Sequence, residues 1–518
     1  MSQSHAQAVA ATAEIAHHRN GLICCLMLAV SLHTIDATIV NVALPHMQGS
    51  LQATFDQISW VVTSYIIASV VLTPLVGWAA SRFGVKRLII LAMTLFTLSS
   101  VLCGISLSLE AMLASRLLQG AAGAPLIPLA IATMNRLSSS SAERARMMAL
   151  FGLGTMVGPV LGPSLGGYIT DVASWRWVFF INLPVGIIAV LGIGATMKPG
   201  MRTPGHKLNM LGFFSLALAV GALQLALDRG ESEDWFDSAE IISYFLICAG
   251  AIWIFAVNSR TAMKPFLPGA LFRDRNFVVG MILVLITAGN MTASVVLQPP
   301  MMQNLMGYPV LDTGILLMWR GMGMMAGMML APRIVQHVSP RMMLIIGGVF
   351  MACGLSPFMF LTTETPALML SVPPIFHGFG IGIMFVLAST IAYATIPHEL
   401  QVEASSVFSL VRGLGQAACI SVVVALVSRY TQINHAELVE RLTPLRAFSP
   451  AGSISSVTST AQQLEASNLM VSQQAAMIAY NNAYMALLIA ASSVIIAAFL
   501  IKPTRLSDEK GGAHPVET

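Results

Sequence analysis

The chain has 518 residues, 56% of them hydrophobic and 10% charged, with a mean hydropathy of +0.77. Soluble domains carry about 25% charged residues, so this composition excludes a soluble globular protein, and a net charge of +4 is too small to point to a nucleic-acid partner. What remains is an all-α polytopic membrane protein, with spans of roughly 20 apolar residues each facing membrane lipid.

Residues 1–20 are polar and contain no apolar core, so they read as a cytoplasmic tail rather than a cleavable signal, and the first span serves as the insertion signal. Hydropathy then predicts fourteen spans, near 21–44, 58–80, 87–108, 111–134, 146–169, 177–197, 208–228, 240–258, 276–299, 310–331, 341–362, 367–392, 403–428 and 482–501. Placing both termini inside puts 19 of the 27 basic residues in cytoplasmic loops and tails and five outside, the asymmetry expected of an inner-membrane protein. The inner loop after the twelfth span is the exception, with His398, Glu399 and Glu403 but no Lys or Arg.

Two outer loops stand out. One, Asp228 to Glu240, is acidic; the other, residues 429–481, is long, polar and predicted to become helical as it approaches the last span. A loop of that size suggests a docking surface.

Two internal echoes divide the chain. The eleven-residue loop GWAASRFGVKR (Gly77–Arg87) has a counterpart of equal length in APRIVQHVSPR (Ala331–Arg341), and RLLQGAAG (Arg116–Gly123) is echoed by PIFHGFGIG (Pro374–Gly382). The predicted organisation is a six-helix bundle over 21–197, two inserted helices over 208–258, a second six-helix bundle over 276–501 that includes the 429–481 loop, and a cytoplasmic tail over 502–518. Parallel halves around a central site are a transporter architecture.

The fifth span holds Gly154, Gly158, Gly162 and Gly166 at intervals of four, followed by Gly167, with Pro159 and Pro163 each after a Gly. Glycines at that spacing share one helix face and admit a close neighbour, while each Pro removes a backbone donor and bends the helix. The stretch reads as a pivot between packed helices.

Ionisable residues inside spans are costly and must face a cavity or a partner. Four qualify: Asp36, Arg116, Arg320 and Arg412. Asp36 is the only acid placed mid-span, and a carboxyl group in a low-dielectric cleft can take up and release a proton near working pH. Arg116 shares one face with Gln119, Gly120 and Gly123, and it can hold Asp36 ionised when close and release it when far. His33, Asn41, Gln119, Asn290, Arg320, His377 and Arg412 are the candidate cavity and substrate residues. Thirty-three methionines, dense between Met301 and Met359, suit a pocket for varied apolar shapes, although most serve packing.

Six cysteines lie in apolar segments at no metal-like spacing, and no nucleotide loop or nucleophile–base cluster occurs. The pattern argues against an enzyme or sensor and predicts no cofactor beyond the proton gradient.

DATIVNVALP (Asp36–Pro45), RLLQGAAGAPLIP (Arg116–Pro128), the Gly/Pro stretch, SWRWVFFINLPVG (Ser174–Gly186) and ALQLALDRGESEDWFDSAEI (Ala222–Ile241) together resemble the EmrB-type drug:proton antiporters, the fourteen-span branch of the major facilitator superfamily. The resemblance covers nearly the whole chain. It implies the major facilitator fold, proton coupling through Asp36 and Arg116, and export of hydrophobic or amphipathic toxic compounds. It also implies a periplasmic adaptor (membrane fusion protein) and an outer-membrane channel as partners, with 429–481 as the adaptor contact. A dedicated exporter of one metabolite, fatty acid or siderophore is the alternative. One motif departs from the family. The cytoplasmic gate loop keeps Gly77, Arg82, Gly84, Lys86 and Arg87, but Ser81 replaces the family's Asp, so the carboxylate expected to lock the inner gate is missing. Either Arg82 and helix-end contacts hold that gate, or the outward-open state is less favoured.

Overall fold

A computed structural model describes residues 2–138, 140–198, 208–263, 265–335, 337–441 and 460–497. The predicted tail 502–518, the loop residues Arg202, Lys207 and Lys264, and residues 442–459 of the predicted outer loop lie outside these. Among the described residues there is no strand.

The N-terminal half comprises α1 (Ser2–Ser50), α2 (Phe55–Leu72), α3 (Val76–Phe83), α4 (Val85–Ile105), α5 (Leu109–Gly123), α6 (Leu126–Arg136), α7 (Ser141–Val172), α8 (Trp177–Phe180) and α9 (Asn182–Thr196). Two inserted helices follow, α10 (Met210–Arg229) and α11 (Ala239–Thr261), then the short α12 (Gly269–Arg273). The C-terminal half comprises α13 (Arg275–Pro300), α14 (Val310–Ile334), α15 (Pro340–Leu355), α16 (Ala367–Tyr393), α17 (Gln401–Arg441) and α18 (Thr460–Ala497). Thirteen segments are long and apolar enough to cross a membrane, and the remaining predicted span, the fifth, is the 32-residue α7.

Side-chain caps mark several helix starts. Thr54 and Gln57 form a reciprocal capping box on α2, and Ser108, Ser140, Asn209, Asp274 and Ser339 cap α5, α7, α10, α13 and α15. Prolines divide spans that hydropathy reads as single. Pro74 lies in a 3-10 turn between α2 and α3, and Pro125 lies between α5 and α6, because proline supplies no amide donor to the helix ladder. The one-residue turn from α3 to α4 requires φ = +86° at Gly84, a conformation that side-chain-bearing residues rarely adopt.

Two expectations change. The first quarter of the predicted outer loop is helix: α17 continues to Arg441 over 41 residues, since 429–441 contains no Gly or Pro to stop it. At 1.5 Å per residue it is about 60 Å long, twice the roughly 30 Å hydrocarbon core. It pairs beyond the span with α18, through Asn434 Nδ2 donating to the Ala475 carbonyl (3.3 Å) and His435 bonding Asn468 (3.1 Å). At the other terminus, the predicted tail is continuous with the first span in α1, so the helix starts at Ser2.

Packing repeats between the halves. In the first, α1 packs on α7 and α9, α5 on α2 and α4, and α4 on α9; in the second, α13 packs on α17 and α18, α16 on α14 and α15, and α15 on α18. Of the inserted pair, α10 packs on α2 and α17, whereas α11 packs chiefly on α10. The halves meet through α3 and α6 against α17 and through α7 against α14 and α16. Contacts there lie near the end that carries the short basic loops: Phe151 stacks on Phe385 at 6.2 Å, Gly152 lies under Met328, and Gly77 lies under Glu403. Arg82 is exposed and lies over Trp78 of its own helix (5.7 Å), and Ser81 Oγ donates to the Trp78 carbonyl. Glu403, on α17 of the opposite half, brings a carboxylate side chain against Gly77. Lys86 Nζ donates to the Gly194 carbonyl (2.7 Å) at the end of α9, and Arg87 is exposed.

Candidate functional site

Asp36 and Arg116 are completely buried and paired, Nη1 to Oδ2 at 2.8 Å. Gln119, one turn from Arg116 on the same face of α5, donates to Asp36 Oδ1 (2.8 Å) and accepts from Arg116 Nη1 (2.8 Å). Asn182, at the start of α9, donates the third hydrogen bond to the Asp36 carboxylate, at Oδ1 (2.7 Å), and another to Ser100 Oγ of α4 (2.8 Å). Arg116 Nε donates to the Val61 carbonyl (3.0 Å), and its guanidinium lies 4.2 Å from the centre of the Tyr65 ring. The Tyr65 hydroxyl bonds His33 Nδ1 (2.8 Å), so His33 joins the network at one remove. One carboxylate is thus held by donors from α5 and α9, and the pair is held in turn by α2.

Asn182, Tyr65 and Ser100 were not expected. The available signal was weak: a single Asn in an otherwise apolar FINLP stretch. Losing a hydrogen bond to a charged acceptor costs about 1.5–3 kcal/mol. Asn182→Ala is accordingly expected to lower the thermal unfolding midpoint of the purified protein and to slow transport, and an unchanged midpoint would mean that Asp36 does not need this donor.

The second half carries the same frame with different chemistry. Gly120 lets α5 close on the Tyr65 carbonyl, and Gly378 lets α16 close on the Arg320 carbonyl. The residue before each glycine reaches back to the first helix of its half: Gln119 to Asp36, and His377 Nε2 to Asn290 Oδ1 (2.8 Å). Asp36 and Asn290 each precede a proline, Pro45 and Pro299, by nine positions. Asn290 is therefore the counterpart of Asp36, and Arg320 that of Tyr65. Since Asn290 Oδ1 only accepts, His377 Nε2 carries the proton. Asn290 Nδ2 donates to the Leu487 carbonyl (2.8 Å), and Arg320 donates to Gln298 Oε1. The frame that holds an acid in one half holds an amide in the other.

Arg412 lies on α17, within electrostatic reach of His33 on α1 and Tyr393 on α16. Asn41 is exposed on α1 and apart from both networks. Gly154, Gly158, Gly162 and Gly166 all face α1, where Ser31 donates to the Gly154 carbonyl (3.0 Å) and Thr38 to the Gly158 carbonyl (2.9 Å). Gly167 lies at the edge of this contact, 3.8 Å from Val42 for an added Cβ. The α7 helix runs on through Pro159 and Pro163. Two apolar grooves, about 430 Å³ beside Trp319 and Phe376 and about 560 Å³ beside Tyr168 and Trp177, are lined by exposed apolar side chains and do not touch either network. No group of three or more metal-ligating side chains occurs among the described residues.

Residues 26–419 match the Major Facilitator Superfamily profile. The chain belongs to this superfamily, among its EmrB-type drug transporters. It is 30% identical to the multidrug export protein EmrB of Escherichia coli K12 over 429 residues, covering 81% of this chain and 82% of that protein. It is 32% identical to the fatty acid resistance protein FarB of Neisseria gonorrhoeae over 501 residues, covering 94% and 97%. In fold it is similar to the human organic anion transporter MFSD10, with a TM-score of 0.59 at 14% identity over 91% of this chain and 99% of that one. The major facilitator transporter is thus a multi-pass membrane protein of two related halves with two helices inserted between them.

Proposed function

We propose that this transporter is a proton-coupled exporter of hydrophobic and amphipathic toxic compounds across the bacterial inner membrane. The observation that carries this reading is the buried Asp36–Arg116 pair, whose carboxylate is the only one placed mid-span. With the basic loops inside, the Phe151–Phe385 contact between the halves lies toward the cytoplasm. Protonation of Asp36 from outside removes the charge that holds Arg116, Gln119 and Asn182 together. The halves then rock about α7, which packs against α1 on one side and α14 and α16 on the other. Once the site opens inward, Asp36 releases its proton to the cytoplasm as substrate binds.

The paired extensions of α17 and α18 offer a surface to a periplasmic adaptor, and through it to an outer-membrane channel. The identity to FarB over 94% of the chain favours, as a second reading, export of fatty acids in particular.

The test is transport by the full-length protein in proteoliposomes, with one cationic and one anionic fluorescent amphipath. An imposed proton gradient should drive uptake or efflux of at least one of them and should itself be dissipated by that substrate. Transport indifferent both to the gradient and to a protonophore would overturn the reading.

A further inference from the structure

The membrane interior holds three guanidinium groups, Arg116, Arg320 and Arg412, against a single carboxylate, Asp36, which Arg116 occupies. Arg116 is paired with Asp36, whereas among the described residues no ion pair joins Arg320 or Arg412 to an acid. Arg320 is 5% exposed, and beyond its bond to Gln298 its Nε and Nη1 atoms are buried without an acceptor.

Arg412 is the more accessible of the two. It is partly exposed, on the helix that meets α3 and α6 of the other half, so it lies where the halves adjoin. Its Nε is buried without an acceptor, and so is the hydroxyl of completely buried Tyr393, whose ring packs 5.6 Å from Phe408, one turn before Arg412 on α17. No aromatic face covers Arg412 as Tyr65 covers Arg116. His33, on α1, has Nδ1 committed to Tyr65. Around Arg412 the guanidinium Nε–H and the Tyr393 O–H are therefore buried donors without an acceptor among the described residues.

A buried cation without a counter-charge is costly, and a cationic ligand would add repulsion to that cost. An anionic head relieves it, because a carboxylate can accept two parallel bonds from a guanidinium. We propose that the junction at Arg412 is an anion-recognition site, and that it selects amphipaths carrying a carboxylate or similar anionic head. This deepens the exporter reading and rests on it for the direction of transport. Arg320, deeper in the second half, adds charge of the same sign, and no acid among the described mid-span residues offsets either group.

The test uses three probes with one twelve-carbon tail: dodecanoate, dodecanol and dodecyltrimethylammonium. Equilibrium binding to the purified full-length protein is measured in an uncharged detergent, at a pH where the carboxylate is ionised and with no proton gradient. Wild type should bind dodecanoate at least ~10-fold more tightly than the cationic probe. Arg412→Gln should erase that preference while dodecanol binds as before, and Arg412→Lys should restore part of it. Unchanged dodecanol binding and an unchanged unfolding midpoint separate loss of the site from loss of the fold. Equal binding of all three probes by wild type would overturn the proposal, as would a preference that survives Arg412→Gln or binding of inorganic chloride alone. Because no gradient is present, a protein that binds dodecanoate but fails to couple to protons would refute the antiport reading and leave this one intact.

Discussion

Asp36→Asn is expected to abolish gradient-driven transport while leaving a folded protein. The substitution keeps the size of the side chain and removes its charge and its proton. An amide oxygen at position 36 can still accept from Arg116 or Gln119. The new amide donor has a partner at hand, since Asn182 Oδ1 is buried without one. What is lost is the counter-charge to a completely buried guanidinium, and removing one partner of a buried ion pair typically costs about 3–5 kcal/mol. The variant should therefore unfold at a lower temperature than wild type. In proteoliposomes, substrate should still equilibrate down its own gradient, but an imposed proton gradient should no longer concentrate it, and protons should not move with it. Proton-driven accumulation above about one-tenth of the wild-type rate, a deficit of only ~1.4 kcal/mol in the barrier, would remove Asp36 from the coupling step. The pair would then be a structural one.

The parts of this molecule that hydropathy controls were legible, and the parts that depend on contacts across helices were legible only in outline. A run of apolar residues of bilayer length reads as a span whatever packs against it, which is why the fourteen helices fall where expected. Breaks at Pro74 and Pro125 divide a span without lowering its hydropathy, so they do not register in that reading. The same holds for α17, whose continuation to Arg441 leaves the apolar stretch but stays free of Gly and Pro. Within the site, Asp36 and Arg116 were conspicuous because charge is rare in a membrane, and Gln119 because it shares a helix face with Arg116. Asn182 and Tyr65 belong to other helices, and no spacing along the chain connects them to Asp36. The echo between halves was visible in loops and glycines. The equivalence of Asp36 with Asn290 needed the positions of Gly120 and Gly378 against their neighbouring backbones. The approach of Glu403 to Gly77 was not legible either, because Glu403 lies more than three hundred positions away in the other half.

Gly158→Leu is expected to stop transport without touching a titratable group. At this position α1 and α7 are nearly in backbone contact: a Cβ on Gly158 would strike the main chain of Thr34, and Thr38 Oγ1 reaches the Gly158 carbonyl at 2.9 Å. The obstacle is main chain rather than the tip of a flexible side chain, so α1 and α7 must separate to admit the larger residue. Overpacking of this kind costs about 1–3 kcal/mol, little enough for the protein to insert and fold. The effect on function should be larger, because α1 carries Asp36 and α7 also packs against α14 and α16 of the opposite half. Moving α7 off α1 therefore disturbs the Asp36 network and the Phe151–Phe385 contact between the halves together. Gly167→Ala is the matched control. Its added methyl would meet Val42 at 3.8 Å, an ordinary van der Waals distance, and its effect on stability should stay within about 0.5 kcal/mol. Transport by the two variants in proteoliposomes, normalised to folded protein, separates the explanations. If Gly158→Leu and Gly167→Ala both transport at the wild-type rate, the α1–α7 contact is loose enough to absorb a side chain and α7 is not the pivot. If only Gly158→Leu fails, while its folded fraction is near that of wild type, the close approach of these two helices is part of the transport cycle itself.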